Sequence, residues 1–315
     1  MWLLFAILSA IFLGFYDVFK KKSLTGNAVP MVLLLNTVFC ALIFLPAIVL
    51  SAAGTIGEGS FLHVPPFVWA QQRCIVLKAF LVLASWGCGY IGIKHLPLTI
   101  VGPIHATRPI MVLVGALLLF GERLNLWQWA GVTLGIISLF MLAGSGHKEG
   151  IHFGRNRYVW LVLMAAILGA ASALFDRFLL APLTAGGMGI ANMTVQAYTN
   201  IYQSLIMAFI VATMAARASH PEKSGPSASA APFRWTWYIL GISVALSVAD
   251  FAYYYALSQP GAMVSIVSML RRGSVLVSFT FGAIIFHERN LRSKAFDLLF
   301  ILLSMLFLYF GTQAA

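Results

Sequence analysis

Long apolar runs dominate the chain, and each is bounded by a short polar or basic connection. Ten such runs stand out, at roughly 2–20, 30–51, 72–93, 98–120, 126–144, 157–179, 193–215, 235–257, 261–286 and 294–312. A helix that crosses a bilayer needs about 20 mostly apolar residues, and each run is near that length. Strands of a membrane barrel alternate apolar and polar positions over about 10 residues, whereas these runs are continuous. The pattern predicts an all-α membrane protein with ten transmembrane helices. The first run, Met1 to Phe19, has no basic segment ahead of it, and Lys20, Lys21 and Lys22 follow it. It therefore reads as a spanning helix rather than a signal peptide.

Two segments break the pattern. Gly144 to Arg157 is glycine-rich and charged, and Arg217 to Pro232 reads RASHPEKSGPSASAAP, a solvated loop. The first break separates two repeats of five predicted helices, 1–146 and 157–315, joined by a connection at 147–156. The halves resemble each other. PIMVLVGALLLFGERLN (109–125) parallels SVLVSFTFGAIIFHERN (274–290), and both close on Glu-Arg, at Glu122-Arg123 and Glu288-Arg289. AIFLGFYDVFKKKSL (10–24) parallels AILGAASALFDRFLL (166–180). Five is an odd number, so a duplicated half inserts upside down relative to its twin. The expected architecture is two inverted five-helix repeats around a central cavity, with a site near the midplane.

This arrangement, with LLLFGERL followed by LWQWAGVTLGIISLFML, resembles the EamA-like branch of the drug/metabolite transporter superfamily. The second copy departs from the motif, with His287 where the first has Gly121. The resemblance covers essentially the whole chain. It implies a secondary carrier of small metabolites, amino acids, nucleotide sugars or drugs. Helices five and ten would be peripheral, and the other eight would surround the cavity.

Composition agrees with a membrane protein: 61% of residues are hydrophobic and 9% charged, against roughly 25% charged in soluble domains. The net charge of +11 is spread over short connections, which sets topology and is no footprint for nucleic acid. Connections 1–2, 3–4, 5–6, 7–8 and 9–10 hold 13 Lys and Arg residues. The others, helix ends included, hold 4: Arg73, Lys78, Arg123 and Arg177. The count places both termini outside the cytoplasm, while the resemblance implies both inside. Cys40, Cys74 and Cys88 have no metal-binding spacing and read as packing residues.

Candidate chemistry lies where polar groups enter the apolar runs. An Arg at the bilayer centre costs roughly 2.5–3.5 kcal/mol and marks a functional site by default. His105 and Arg108 lie within one run, three residues apart and on one helix face. Arg271 and Arg272 lie within another. Aligning the Glu-Arg motifs pairs His105 with Arg271, and aligning Pro97 with Pro260 pairs Arg108 with Arg271. These cations suit a carboxylate or phosphate, or they form structural ion pairs with Asp17, Asp176 or Asp250. Successive helical residues point about 100° apart, so at most one of Arg271 and Arg272 is expected to face the cavity centre. Asp250 continues a stripe with Ser243, Ser247 and Tyr254. Its expected roles are binding a substrate ammonium, carrying a coupling proton or neutralising an Arg. Gln196, Asn200 and Gln203 share a face that lines the cavity or hydrogen-bonds between helices. Asn36, Trp86, Tyr90, Tyr16 and Asp17 are weaker candidates. Gly131 and Gly135 form a GxxxG step for close helix approach.

No phosphate-binding loop, HExxH or CxxC pattern is present, so an ATP-driven pump, a metal site and an enzyme are not supported. No cofactor is expected. The sequence points to a secondary active transporter of a small polar, anionic or zwitterionic metabolite, working by alternating access in the cell's inner membrane. A coupling proton through Asp250 or His105 and function as a monomer accompany that reading. The alternatives are a flippase for a lipid-linked substrate, a drug or cation exporter using Asp250, and a non-transporting scaffold.

Overall fold

The computed structural model describes residues 1–24, 26–95, 104, 107–121, 123–144, 157–218, 233–274, 276–277, 280–281 and 291–313. They form α1 (Trp2–Leu24), α2 (Val29–Ala52), α3 (Trp69–His95), α4 (Arg108–Phe120), α5 (Leu126–Gly144), α6 (Arg157–Leu180), α7 (Asn192–Ala218), α8 (Trp237–Ser258), α9 (Val264–Arg271) and α10 (Leu291–Gln313). No strand occurs among the described residues. Six helices, α1, α2, α3, α6, α7 and α8, carry windows long and apolar enough to cross a membrane. Apolar side chains such as Leu118, Phe209 and Phe310 remain exposed on the outer surface, as suits helices whose outer faces meet lipid.

The apolar runs foretold where these helices lie, with two corrections. The run 98–120 was expected as one helix, but α4 starts at Arg108, after Thr107 donates from both its N–H and its hydroxyl to the Ile104 carbonyl. The run 261–286 was expected as one helix, but α9 stops at Arg271. There the Arg272 and Gly273 N–H groups turn back three residues to the Met269 and Leu270 carbonyls, a tightened turn that ends the α-helical ladder. Helical backbone resumes at Ser274. The cations expected in mid-helix therefore sit at helix ends. Glycine has a specific role between α6 and α7. A Cβ at Gly187 would lie 2.2 Å from the Ala181 carbonyl oxygen, so only glycine fits that fold-back.

Packing follows a regular scheme. α1 lies along α8, and α3 along α6. α2 pairs with α7, and α5 with α10. α4 contacts α6 and α9, while α9 contacts α1. Small residues permit the close approaches. Gly131 accepts through its carbonyl from the Ser304 hydroxyl at 2.6 Å, and Gly135 faces Met269 and Ser304. The GxxxG step thus seats α5 against α10 and α9. The three cysteines are free thiols, and Cys40 is buried with its S–H directed at Asn36 Oδ1 and the Ser243 carbonyl.

Candidate functional site

A cavity of about 360 Å³ opens between α1, α3, α4, α6, α7, α8 and α9. Among the described residues, α5, α10 and α2 contribute nothing to its lining. Its walls carry five cations, Lys20, Lys78, Arg108, Arg271 and Arg272, and three carboxylates, Asp17, Asp176 and Asp250. Charge in apolar surroundings is stable only when paired or hydrogen-bonded, and the partners decide what each group is free to do.

Two pairs are internal. Arg271 from α9 donates to Asp250 on α8, and its guanidinium also lies 4.3 Å from the Tyr253 ring centroid. Lys78 from α3 donates to Asp176 on α6 and sits 4.9 Å from the Tyr254 ring centroid. Lys78 is 1% exposed and Asp176 4%, so this is a deep pair. The sequence reading had counted Lys78 with the helix-end charges. The structure instead buries it in the middle third of α3, which removes it from the topology count.

The remaining cations are held differently. Arg108 donates to the Gly169 carbonyl on α6 at 2.7 Å. A Cβ at Gly169 would lie 2.7 Å from the guanidinium carbon, so this glycine makes the seat. Arg272 lies within electrostatic reach of Arg108, Asp17 and Arg271. Lys20 caps one end of the cavity over the Tyr90 and Tyr16 rings, at 4.2 and 5.3 Å, and the two tyrosine hydroxyls meet at 3.3 Å. Asp17 is exposed at the cavity surface.

Neutral groups complete the wall. Gln196, Asn200 and Gln203 line it from α7, with Thr199 beside them, and Ser85 and Ser172 lie opposite. Gln196 Nε2 donates to the Ser247 carbonyl at 2.8 Å, while Gln196 Oε1 and Thr199 Oγ1 are buried without a partner among the described residues.

Of the residues singled out from sequence, Asp17, Trp86, Tyr90, Arg108, Gln196, Asn200, Gln203, Asp250, Tyr254, Arg271 and Arg272 lie together on this lining. Asn36 does not: it is 1% exposed at the α2–α8 contact, where the Ser243 hydroxyl donates to its side-chain and backbone oxygens. His105, Glu122 and Glu288 lie outside the described residues. Arg271 and Arg272 both line the cavity, contrary to the one-facing expectation. Tyr253 and Tyr254 face it while Tyr255 packs on Phe5 at 4.4 Å. The sequence reading missed Lys20 and Lys78 as lining residues. The signal for Lys78 was present, an isolated Lys within the apolar run 72–93.

Comparison with known proteins places this cavity in context. The model of the EamA-like transporter family matches residues 1–144. The match covers less than half of the chain, and residues 1–144 are similar to that family. An uncharacterized transporter of Pseudomonas aeruginosa is 30% identical over 124 residues, 38% of this chain and 38% of that protein. The matched segment thus spans well under half the length of that relative. A solved crystal structure superposes with a TM-score of 0.66 at 14% identity, covering 97% of this chain and 95% of that one. At that identity the likeness is one of fold alone. Six helices long and apolar enough to cross a membrane among the described residues, together with this likeness, mark a multi-pass membrane protein. Its EamA-like segment supplies Asp17, Lys20, Lys78 and Arg108 to the cavity, and the remainder supplies Asp176, Asp250, Arg271 and Arg272.

Proposed function

We propose that the protein is a secondary active transporter that carries a small anionic or zwitterionic metabolite through this cavity by alternating access. The observation that carries the reading is the convergence of Arg108, Arg271 and Arg272 with neutral amides and tyrosines on one cavity inside a bundle of membrane helices. Such a cavity holds a polar solute away from lipid, and guanidiniums grip carboxylates or phosphates bidentately.

Alternating access needs two halves that exchange roles, and we infer that the chain is an inverted repeat of α1–α5 and α6–α10. The packing scheme supports this. Exchanging each helix for the one five places along turns the α1–α8 contact into α6–α3, α4–α6 into α9–α1, and α2–α8 into α7–α3, all of which occur. The α2–α7, α4–α9 and α5–α10 contacts map onto themselves. The cavity lies between the halves, where inverted-repeat carriers place their sites. The break before α4 and the break after α9 fall just ahead of the two matching segments, 109–125 and 274–290, and we expect the chain to move at these breaks.

Export of an organic cation is disfavoured because Arg271 already occupies the Asp250 carboxylate. We assign a coupling role to Asp250, the carboxylate that holds Arg271.

The test is counterflow in proteoliposomes holding the purified chain. Labelled anionic or zwitterionic solute should enter faster when unlabelled solute is preloaded, and saturably. Flux that rises linearly with concentration and ignores preloading points to a channel and sinks the carrier reading. Coupling fails if a pH gradient and Asp250→Asn both leave transport unchanged.

A further inference from the structure

We infer that the substrate carries two negative charges in one compact oxyanion head, the chemistry of a phosphate monoester, and that the rest of it bears hydroxyl groups. The inference rests on the proposed binding role of this cavity and narrows it to a ligand class.

Charge comes first. Five cations face three carboxylates among the described lining residues, an excess of two positive charges. Lys78 is neutralised by Asp176, and Arg271 by Asp250. What remains is Lys20, Arg108 and Arg272 against Asp17. Arg272 and Arg108 both line this one cavity, and like charges in low-dielectric surroundings are penalised unless an anion lies between them. A monocarboxylate leaves one excess charge uncompensated, and a zwitterion leaves both. Two guanidiniums converging from α4 and the end of α9 suit a head with several oxygens, because each fork takes two of them. A phosphate monoester supplies about two charges and three acceptor oxygens. A dicarboxylate spreads its charges over two separate groups.

The second observation concerns the rest of the ligand. Gln196 Nε2 is committed to the Ser247 carbonyl, which fixes the amide so that Oε1 is an acceptor. That oxygen is buried without a protein donor among the described residues, on a residue that lines the cavity, and Thr199 Oγ1 beside it is in the same state. A buried acceptor without a donor is costly. A ligand hydroxyl supplies the donor, whereas an alkyl chain does not.

The experiment uses the full chain in detergent micelles and reads affinity by thermal shift and calorimetry. The probes are glycerol 3-phosphate, its sulfate-ester analogue, propyl phosphate, succinate, lactate and alanine. At about pH 7.5 glycerol 3-phosphate should bind roughly ten times tighter than the sulfate ester, which is a permanent monoanion, and the advantage should shrink towards about pH 5 as the second phosphate proton, of pKa about 6, returns. Propyl phosphate should bind more weakly than glycerol 3-phosphate. Arg272→Gln should abolish the preference for phosphate over sulfate, a readout that loss of folding does not mimic in the wild-type comparison. Equal binding of the sulfate ester, tighter binding of succinate, lactate or alanine, or no binding of any phosphate probe overturns the inference. A lipid source is separated by phosphatidic acid in mixed micelles. Stabilisation by it and not by glycerol 3-phosphate keeps the head chemistry and overturns the small hydroxylated remainder. Counterflow separates the two proposals. A phosphate ester that binds and is not carried refutes transport and leaves the ligand class. Saturable counterflow of a monocarboxylate without phosphate binding does the reverse.

Discussion

Arg108 rests its guanidinium on the backbone of α6, donating to the Gly169 carbonyl at 2.7 Å where any side chain at residue 169 would displace it. The contact aims a cation from the first residue of α4 at the cavity, and it depends on the missing Cβ. Gly169→Ala should lower thermal stability, since the lost hydrogen bond to a charged group contributes about 1.5–3 kcal/mol against the about 1 kcal/mol by which alanine favours a helix over glycine. Anion affinity should fall about tenfold or more, because the displaced guanidinium no longer holds its place on the cavity wall. Calorimetry on the variant checks this. Unchanged affinity would remove Arg108 from the binding machinery.

Lys78 and Asp176 form a pair that neither α3 nor α6 tolerates alone. Removing one partner of a buried pair strands the other charge and costs about 3–5 kcal/mol, while replacing both by apolar groups is often neutral. Lys78→Met and Asp176→Leu should each lower the melting temperature sharply, and the double variant should recover most of the loss. Additive losses in the double variant would mean that the two side chains are not coupled.

The sequence made the helices legible because continuous apolar runs leave the backbone no other way to satisfy itself in lipid. It also marked part of the lining, since Arg108, Arg271, Arg272, Asp250 and the α7 amides are polar groups where lipid-facing positions would be apolar. Two things escaped it. Pairing was hidden, because Asp176 and Lys78 are 98 positions apart and nothing local links them. The helix ends were hidden too. The run through Arg271–Arg272 has no proline at the break, so the apolar pattern continued across the tightened turn at Arg272 and Gly273. Asn36 shows the opposite error. A polar residue in an apolar run can serve a helix contact, and here it receives Ser243 rather than a ligand.

Asp250 neutralises Arg271, so removing its charge should strengthen the cavity's hold on anions. At an effective dielectric constant of about 20, a unit charge several ångströms away changes the binding free energy by roughly 1–2 kcal/mol. Asp250→Asn should therefore tighten anion binding by about tenfold at low salt, and the gain should shrink at high salt as mobile ions screen the cavity. The affinity of one anion across a salt series measures it. Weaker binding in this variant would show that Asp250 touches the ligand or holds Arg271 in its binding pose.

Gly131 tests the scaffold apart from the site. A Cβ there would lie 2.8 Å from Leu308 Cγ and 3.0 Å from both the Leu308 nitrogen and the Ser304 carbonyl oxygen. Two of these are backbone atoms of α10 and cannot swing away. Gly131→Val forces α5 and α10 apart and breaks the bond from the Ser304 hydroxyl to the residue 131 carbonyl. Overpacking of this kind costs about 1–3 kcal/mol, so the melting temperature should fall. No described residue of α5 or α10 lines the cavity, so the anion dissociation constant of the folded fraction should stay as in the wild type. A changed dissociation constant would couple the α5–α10 pair to the site, with Met269 as the route, since its sulfur lies 2.8 Å from the position a Cβ at Gly135 would take and it precedes Arg271 by two residues.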